Sequence, residues 1–162
     1  MKVVDFLSPD AILPALAGAT KSAVLAEMSS FLCGRLLAGS GQNAQSAIDA
    51  QALCRVLEER ELLASTAIGD GIAIPHGKLD TVDILMGVLG RSVPGLDFDS
   101  IDGKPTHLVF MLVAPTASTG VHLKALARLS RLFRDALFRQ RLIDAPDGDA
   151  MFKIIEEEDA KY

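Results

Sequence analysis

The first part of the chain combines a short apolar run with a helical pattern. Ser8–Leu16 begins with turn residues and then becomes apolar, and because Pro14 cannot donate a ladder hydrogen bond, we predict an edge strand there. A helix is predicted to follow from Thr20, which can cap its first turn, to Leu37. Its apolar stripe is formed by Val24, Met28, Phe31, Leu32 and Leu36.

A second helix is predicted from about Ser46 to Leu63 and carries a cation on its apolar stripe. The stripe passes through Ala50, Leu53 and Leu57 in steps of three and four residues. The next member of the series is Arg60. At the end of a helix an arginine can extend to solvent or interact with the C-terminal carbonyls. A planar guanidinium is also the preferred clamp for a phosphate. The pattern leaves these roles open.

Two continuous apolar runs and a terminal helix complete the pattern. Ile84–Gly90 and His107–Ala114 are bounded by Gly, Pro and Asp, which is typical of strands covered on both faces. The last helix is predicted to open at Asp147 or Asp149, and the acidic run Glu156–Asp159 is predicted to be its solvated, frayed end. Strands mixed with helices that can cover both faces predict an α/β sandwich.

Composition narrows the classes of function. The 162 residues fit a single domain spanning the whole chain, and 49% hydrophobic residues allow a substantial core. Lys and Arg number 16 against 21 Asp and Glu, giving a formal charge of -5, so nucleic acid is not expected as a partner. No apolar run approaches the length of a membrane helix, so we expect no membrane insertion and a cytoplasmic location. Cys33 and Cys54 lie outside any CxxC spacing and are interpreted as buried free thiols, without a disulfide or a metal site.

The stretch from Ser65 to Gly77, S-T-A-I-G-D-G-I-A-I-P-H-G, gives His76 an unusual setting. Pro75 fixes φ and removes a backbone donor, while Gly69, Gly71 and Gly77 allow positive φ or a close approach of the backbone to a ligand. Such a loop can present N–H groups to an anion. A neutral imidazole, whose ordinary pKa is about 6.5, is a nucleophile near pH 7 without prior deprotonation. The alternative is a turn histidine without chemistry.

The other two histidines differ in their surroundings. His107 stands at the start of a strand and is interpreted as structural or solvent-facing. His122 lies in the first turn of a third helix, which Thr119 can cap, and the helix dipole there would keep it a neutral N–H donor. His122 lies four residues before Leu126, on the same face of the helix as an apolar stripe formed by Leu126, Leu129 and Phe133. The set contains one nucleophile, His76, and two donors, Arg60 and His122, but no general base for water. This combination favours carrying a phosphoryl group over hydrolysing a bond.

The segment Arg60–Lys78, R-E-L-L-A-S-T-A-I-G-D-G-I-A-I-P-H-G-K, closely resembles the active-site signature of a known family. That family is enzyme IIA of the bacterial phosphoenolpyruvate phosphotransferase system, in its fructose, mannitol and nitrogen-regulatory branch. Phe98–Pro105, Leu108–Pro115 and Val121–Leu126 resemble later segments of the family, whereas the C-terminal residues are weakly diagnostic. The resemblance implies a mixed β-sheet flanked by helices.

The resemblance also implies a role for each residue of the site. His76 would accept the phosphoryl group from a histidine phosphocarrier protein of the HPr type. Arg60 would neutralise charge on the equatorial oxygens, and His122 would donate a hydrogen bond to the phosphoryl group or orient the first imidazole. Ser65 and Thr66 stand where the family has small hydroxyl residues and would support phosphoryl binding. No cofactor is implied, and the nitrogen of His76 that reacts depends on which one the backbone occupies.

Within the family, we predict a stand-alone regulatory component of the nitrogen type. Gly77 and Lys78 follow the histidine, and the sequence shows no fused membrane segment or cysteine phosphorylation loop. Phosphorylation of His76 would then be the signal, and targets such as transporters or sensor kinases would read it. The alternatives are a fructose- or mannitol-specific IIA component that passes the group to a IIB domain, an interaction module without phosphotransfer, and a metal-dependent enzyme. Three histidines without a clustered carboxylate or short spacing make the metal site weak.

The switch has a physical basis in charge. Phosphorylation adds about two negative charges, so a partner docked on an apolar collar around neutral His76 would be repelled by the phosphorylated form. We predict that Ile72 and Ile74 contribute to this collar because they lie near the loop.

Overall fold

A mixed six-stranded sheet forms the centre of the computed structural model, which describes residues 1–40, 49–118 and 120–162. In these ranges the strands are β1 (Ile12–Leu13), β2 (Ala67–Gly69), β3 (Ile72–Ala73), β4 (His76–Leu79), β5 (Met86–Leu96) and β6 (Thr106–Pro115). The helices are α1 (Lys21–Ser40), α2 (Ala50–Leu63), α3 (Val121–Leu132), α4 (Ala136–Asp144) and α5 (Gly148–Asp159). None of these helices is both long and apolar enough to cross a membrane.

Strand β6 organises the sheet, whose order is β1-β5-β6-β3-β2. Strand β5 pairs with one side of β6 in antiparallel fashion. Strands β3 and β4 follow one another along its other side, both parallel to it. The predicted edge strand is confirmed as β1, which among the described residues pairs only with β5 and ends immediately before Pro14.

The two faces of β6 bury alternate side chains against different helices. Leu108, Phe110 and Leu112 pack on the side of α3, α4 and α5. Val109 and Met111 pack on the side of α1 and α2. The prediction of strands covered on both faces is therefore confirmed, and so is the α/β fold with a mixed sheet between helices.

Capping side chains set the starts of the first two helices. Thr20 accepts a hydrogen bond from the N–H of Ala23 at 3.2 Å, which confirms the predicted cap. Helix α1 continues through Gly39 to Ser40, beyond the predicted end. For α2 the described cap is Asp49, which accepts from an N–H in the first turn, whereas the predicted start at Ser46 lies outside the described residues.

The third predicted helix is confirmed as α3, but its predicted stripe extends one residue beyond the helix. Helix α3 ends at Leu132, and Phe133, the last predicted member of the stripe, is its C-cap. Phe133 packs in the same core as Leu129, which explains why its spacing fits the stripe. Asp135 then caps α4 by accepting from the N–H of Leu137 at 2.9 Å. The predicted cap Thr119 lies outside the described residues.

The acidic end of α5 is buried, so the prediction of a frayed, solvated end is wrong for Glu158 and Asp159. The N-cap of α5 is Asp147, one of the two predicted candidates. Asp159 accepts from Nε of Arg128 at 3.0 Å and from the N–H of Val4 at 3.1 Å. Both partners come from distant parts of the sequence, and their bonds hold the last turn of α5 against the protein interior.

Replacing Asp159 by alanine should lower the free energy of unfolding by about 3 kcal/mol, because Arg128 would keep a mostly buried charge without its partner. The control is Glu157→Ala, which removes a surface pair with Arg141 and should change stability little. Urea denaturation of both variants checks this. Equal, small effects at the two positions would contradict it.

Candidate functional site

Three of the five predicted site residues line an open cavity of about 450 Å³. It lies between the last turns of α2, the start of β4, the end of β6 and the first turn of α3. Arg60, His76 and His122 all line it. Residues 62 positions apart in sequence are thus brought together by the sheet and the two helices that flank it.

The backbone around His76 fixes its tautomer. His76 is the first residue of β4 and lies opposite Leu112 in β6, whose N–H donates to the carbonyl of Pro75 at 2.9 Å. The Nδ1 atom of His76 lies 2.9 Å from the carbonyl oxygen of Ile74. A carbonyl oxygen can only accept, so Nδ1 carries the proton and donates. The lone pair is therefore on Nε2.

The charge state of His76 follows from its half-buried position. Burial lowers the pKa of its imidazole below the ordinary value of 6.5, and the hydrogen bond to Ile74 opposes this effect. The charges of Arg60 and His122 lower the pKa further, whereas the carboxylate of Glu61 raises it. The balance favours a neutral ring near pH 7.

We expect His76 in the folded protein to titrate below pH 6.5 when its ring protons are followed by NMR. Because the folded pKa is depressed, the unfolded chain takes up this proton first. The effect of His76 on stability is therefore absent above pH 6.5 and becomes destabilising as the pH falls through that value. A midpoint at or above 6.5 would contradict the environment described here.

Arg60 is held over the cavity by the end of its own helix. Its Nη1 donates to the carbonyl oxygen of Ala64 at 3.0 Å. This bond is the predicted contact with the helix C-terminus, and it coexists with the place of Arg60 in the cavity wall. A guanidinium has five N–H donors, so one such bond leaves donors for an anion.

His122 lies in the first turn of α3, as predicted, and is half-buried. Its Nδ1 is buried and has no hydrogen-bond partner among the described residues. Because Nδ1 is enclosed, Nε2 is the nitrogen that can reach a group in the cavity. His122 can thus donate from α3 toward the space that also adjoins His76.

Ser65 and Thr66 are not part of the cavity wall. The hydroxyl of Ser65 donates to the carbonyl of Phe98 at 2.6 Å and accepts from the N–H of Ala67 at 3.1 Å. Thr66 is buried and its hydroxyl donates to the carboxylate of Glu61. Both side chains hold the segment that leads to His76, so any support of phosphoryl binding from them is indirect.

Several further residues of the cavity wall were not singled out for the site by sequence reasoning, among them Glu59, Leu63 and Lys78. Lys78 was visible in the family signature, and Glu59 and Leu63 lie one and three residues from Arg60 on the same helix. Whether Glu59 and Leu63 face the cavity depends on how α2 packs, and the apolar stripe alone does not predict this.

The remaining histidine and the cysteines lie outside the cavity wall. Nδ1 of His107 lies 3.1 Å from the carbonyl oxygen of Ser92, in agreement with a structural role. Cys33 is buried and Cys54 half-buried, and both are free thiols. In the parts of the chain that the structure describes, no group of three His, Cys, Asp or Glu side chains is placed to hold a metal ion.

The predicted collar is wrong, because Ile72 and Ile74 are core residues, 1% and 3% exposed. Ile72 lies in β3, and both pack against the core on the α3 side of the sheet. Exposed leucines lie beside the cavity instead: Leu63 in its wall is 82% exposed, and Leu123, which follows the wall residue His122, is 59% exposed. We refer to Leu63 and Leu123 as the leucine rim.

Residues 5–158 match the family described as "Phosphoenolpyruvate-dependent sugar phosphotransferase system, EIIA 2". The chain is 39% identical over 155 residues to a nitrogen regulatory protein of Bradyrhizobium diazoefficiens, covering 96% of this chain and 95% of that protein. It is 36% identical over 159 residues to the fructose-specific EIIABC component of Bacillus subtilis, covering 98% of this chain and 24% of that protein.

A solved structure supports the same assignment. Nitrogen regulatory protein IIA-Ntr from Neisseria meningitidis superposes with a TM-score of 0.82 at 27% identity, covering 94% of this chain and 98% of that one. The sheet order, the histidine cavity and these matches agree with the resemblance of the Arg60–Lys78 segment. The chain belongs to the EIIA type 2 family of the phosphoenolpyruvate-dependent sugar phosphotransferase system.

Proposed function

We propose that the protein is a phosphocarrier that accepts a phosphoryl group on Nε2 of His76. The observation that carries this proposal is the hydrogen bond from Nδ1 to the carbonyl of Ile74, which leaves the Nε2 lone pair free. The same ring shares a cavity wall with Arg60 and His122. A neutral nucleophile beside two donors suits a reaction that needs positioning and charge stabilisation.

The transfer conserves atoms and charge. Nε2 of His76 forms a bond to phosphorus as the bond between phosphorus and a donor histidine nitrogen breaks, and the electron pair of that bond returns to the donor. Arg60 offsets negative charge on the equatorial oxygens, and His122 donates a hydrogen bond to the same group. The donor is a histidine phosphocarrier protein of the HPr type.

A regulatory role of the nitrogen type is supported by the relatives. The Bradyrhizobium diazoefficiens protein bears the name nitrogen regulatory protein and matches this chain over nearly its whole length. We place the protein in the cytoplasm, where transporters or sensor kinases would read the phosphorylation state of His76. The second candidate is a sugar-specific IIA component, which is favoured by 36% identity to the fructose-specific component of Bacillus subtilis.

The leucine rim provides a physical basis for recognition of the phosphorylation state of His76 by a target. Exposed leucines beside a cavity that holds an unphosphorylated, neutral His76 can dock an apolar partner surface. Phosphorylation would place about two negative charges within the docked area and disfavour the same partner.

Intact-mass spectrometry after incubation with phosphoenolpyruvate, enzyme I and the phosphocarrier tests the proposal. We expect one acid-labile phosphoryl group on the wild-type protein and on His107→Ala, and none on His76→Ala. Absence of the group from wild type with each competent donor would favour the interaction module. Rapid transfer of the phosphoryl group from His76 to a IIB domain, without an effect on a regulatory target, would favour the sugar-specific role.

A further inference from the structure

A buried carboxylate lies directly behind the candidate site. Glu61 follows Arg60 on α2, but its side chain points inward and is 5% exposed. Nζ of Lys21, from α1, lies 3.0 Å from Oε2 of Glu61 and also 3.0 Å from the carboxylate of Asp99. The ion pair therefore links α1 to the turn of α2 that carries Arg60.

The same carboxylate holds Thr66 at two points. Oε2 of Glu61 accepts from the N–H of Thr66 at 3.2 Å, and Oε1 accepts from its hydroxyl. Hydrogen bonds to a buried ionised acceptor are among the strong ones in proteins. Two of them on one residue fix both the backbone and the side chain of Thr66.

From Thr66 the hydrogen bonds continue to the imidazole. The carbonyl of Thr66 accepts from the N–H of Ile74 at 3.0 Å, and the carbonyl of Ile74 accepts from Nδ1 of His76. A connected series of contacts thus runs from the Glu61 carboxylate to the ring that holds the Nε2 lone pair. Rotation of the Ile74 carbonyl would release that ring.

A purely structural role would not require a charge at this position. A buried ion pair often contributes no more to stability than apolar residues of the same volume would, because both charges lose their hydration. The Glu61 charge also acts on the site, since it raises the pKa of His76 while Arg60 and His122 lower it. Glu61 therefore influences the ring by two independent routes.

We propose that Glu61 is a positioning residue for phosphoryl transfer: anchored by Lys21, it fixes Thr66 and, through the Ile74 carbonyl, the orientation and tautomer of His76. The inference rests on the proposed phosphocarrier function. It assigns Thr66 a role in the support of the imidazole rather than in contact with the phosphoryl group.

The test compares Glu61→Gln with Glu58→Gln, which removes the same charge one turn earlier on α2, where Glu58 accepts from the hydroxyl of Ser22. In Glu61→Gln, we expect the ring ¹⁵N shifts of His76 to show less Nδ1–H tautomer and its pKa to fall. We expect phosphorylation to slow roughly tenfold or more, since small misplacements of a reacting group are costly. Glu58→Gln should match wild type in all three measurements.

A second pair of variants separates positioning from folding. Thr66→Val removes only the hydroxyl bonded to Glu61 and should shift the His76 tautomer in the same direction, whereas Thr66→Ser should restore it. A folded Glu61→Gln with wild-type tautomer and rate would overturn the proposal. If Glu61→Gln does not fold, wild-type behaviour of Thr66→Val would overturn it. If wild type is not phosphorylated, the proposed function fails, and the NMR comparison alone decides the role of Glu61.

Discussion

Arg60→Gln should slow the phosphorylation of His76 by about a hundredfold or more. Loss of one preorganised donor at a developing negative charge typically costs about two to three orders of magnitude in rate. Arg60 lines the cavity with His76, and its bond to Ala64 holds the guanidinium in place. Arg60→Lys should retain part of the rate, because it keeps the charge but loses the planar fork. Single-turnover transfer from the phosphorylated carrier measures both.

The control for Arg60 is Arg55→Gln on the same helix, where the side chain is exposed and lies outside the cavity wall. It should leave the rate unchanged. An NMR titration adds an independent readout, because removal of the Arg60 charge should raise the pKa of His76 toward 6.5. Equal rates in the two variants would show that the guanidinium serves the end of α2 and not the reaction.

The elements that the sequence predicted well are those whose packing is expressed in a long, regular pattern. Val88 and Leu89 of β5, the apolar interior of β6, Val24 of α1 and Leu53 of α2 are all buried, in agreement with their patterns. Strands β2, β3 and β4 have four residues or fewer, so alternation could not reveal them, and the segment was interpreted as a loop. Strands β3 and β4 form because β6 offers its free side to them, and β2 pairs with β3.

Errors arose where a residue's partner is distant along the chain. The acidic end of α5 was interpreted as solvated, yet Asp159 is bonded to Arg128 and Val4. The collar is predicted at Ile72 and Ile74 from their proximity in sequence to His76, whereas both side chains are buried in the core. Proximity in sequence to a functional residue does not establish exposure beside it.

The residues of the site were predictable from their chemistry and from the resemblance, but the buried residues that hold them in place were not. Arg60, His76 and His122 carry side chains suited to phosphoryl transfer, and the structure brings them to one cavity. Glu61 looked like one charge among several on α2, and only the fold shows that it is buried against Lys21 and Thr66. Its inward direction depends on the packing of α1 against α2.

Truncation of the leucine rim should separate partner docking from chemistry. In Leu63→Ala combined with Leu123→Ala, we expect the KM for the phosphorylated carrier to rise roughly tenfold or more, with kcat changed little. The reason is that truncation of an interface residue that contributes to binding costs more than about 1 kcal/mol, so the loss of two exceeds the roughly 1.4 kcal/mol of a tenfold change, while His76 and Arg60 remain in place. Both leucines are largely exposed, so their loss should leave stability near that of wild type.

The matched control is Leu137→Ala on α4, which is 77% exposed but not part of the leucine rim or the cavity wall. It should change neither KM nor kcat. A fall in kcat at constant KM in the double variant would mean that the two leucines shape the cavity around His76 instead of docking the carrier. If the rim docks the carrier, its leucines are also where a regulatory target would compete, because a phosphoryl group on His76 alters the same surface for both partners.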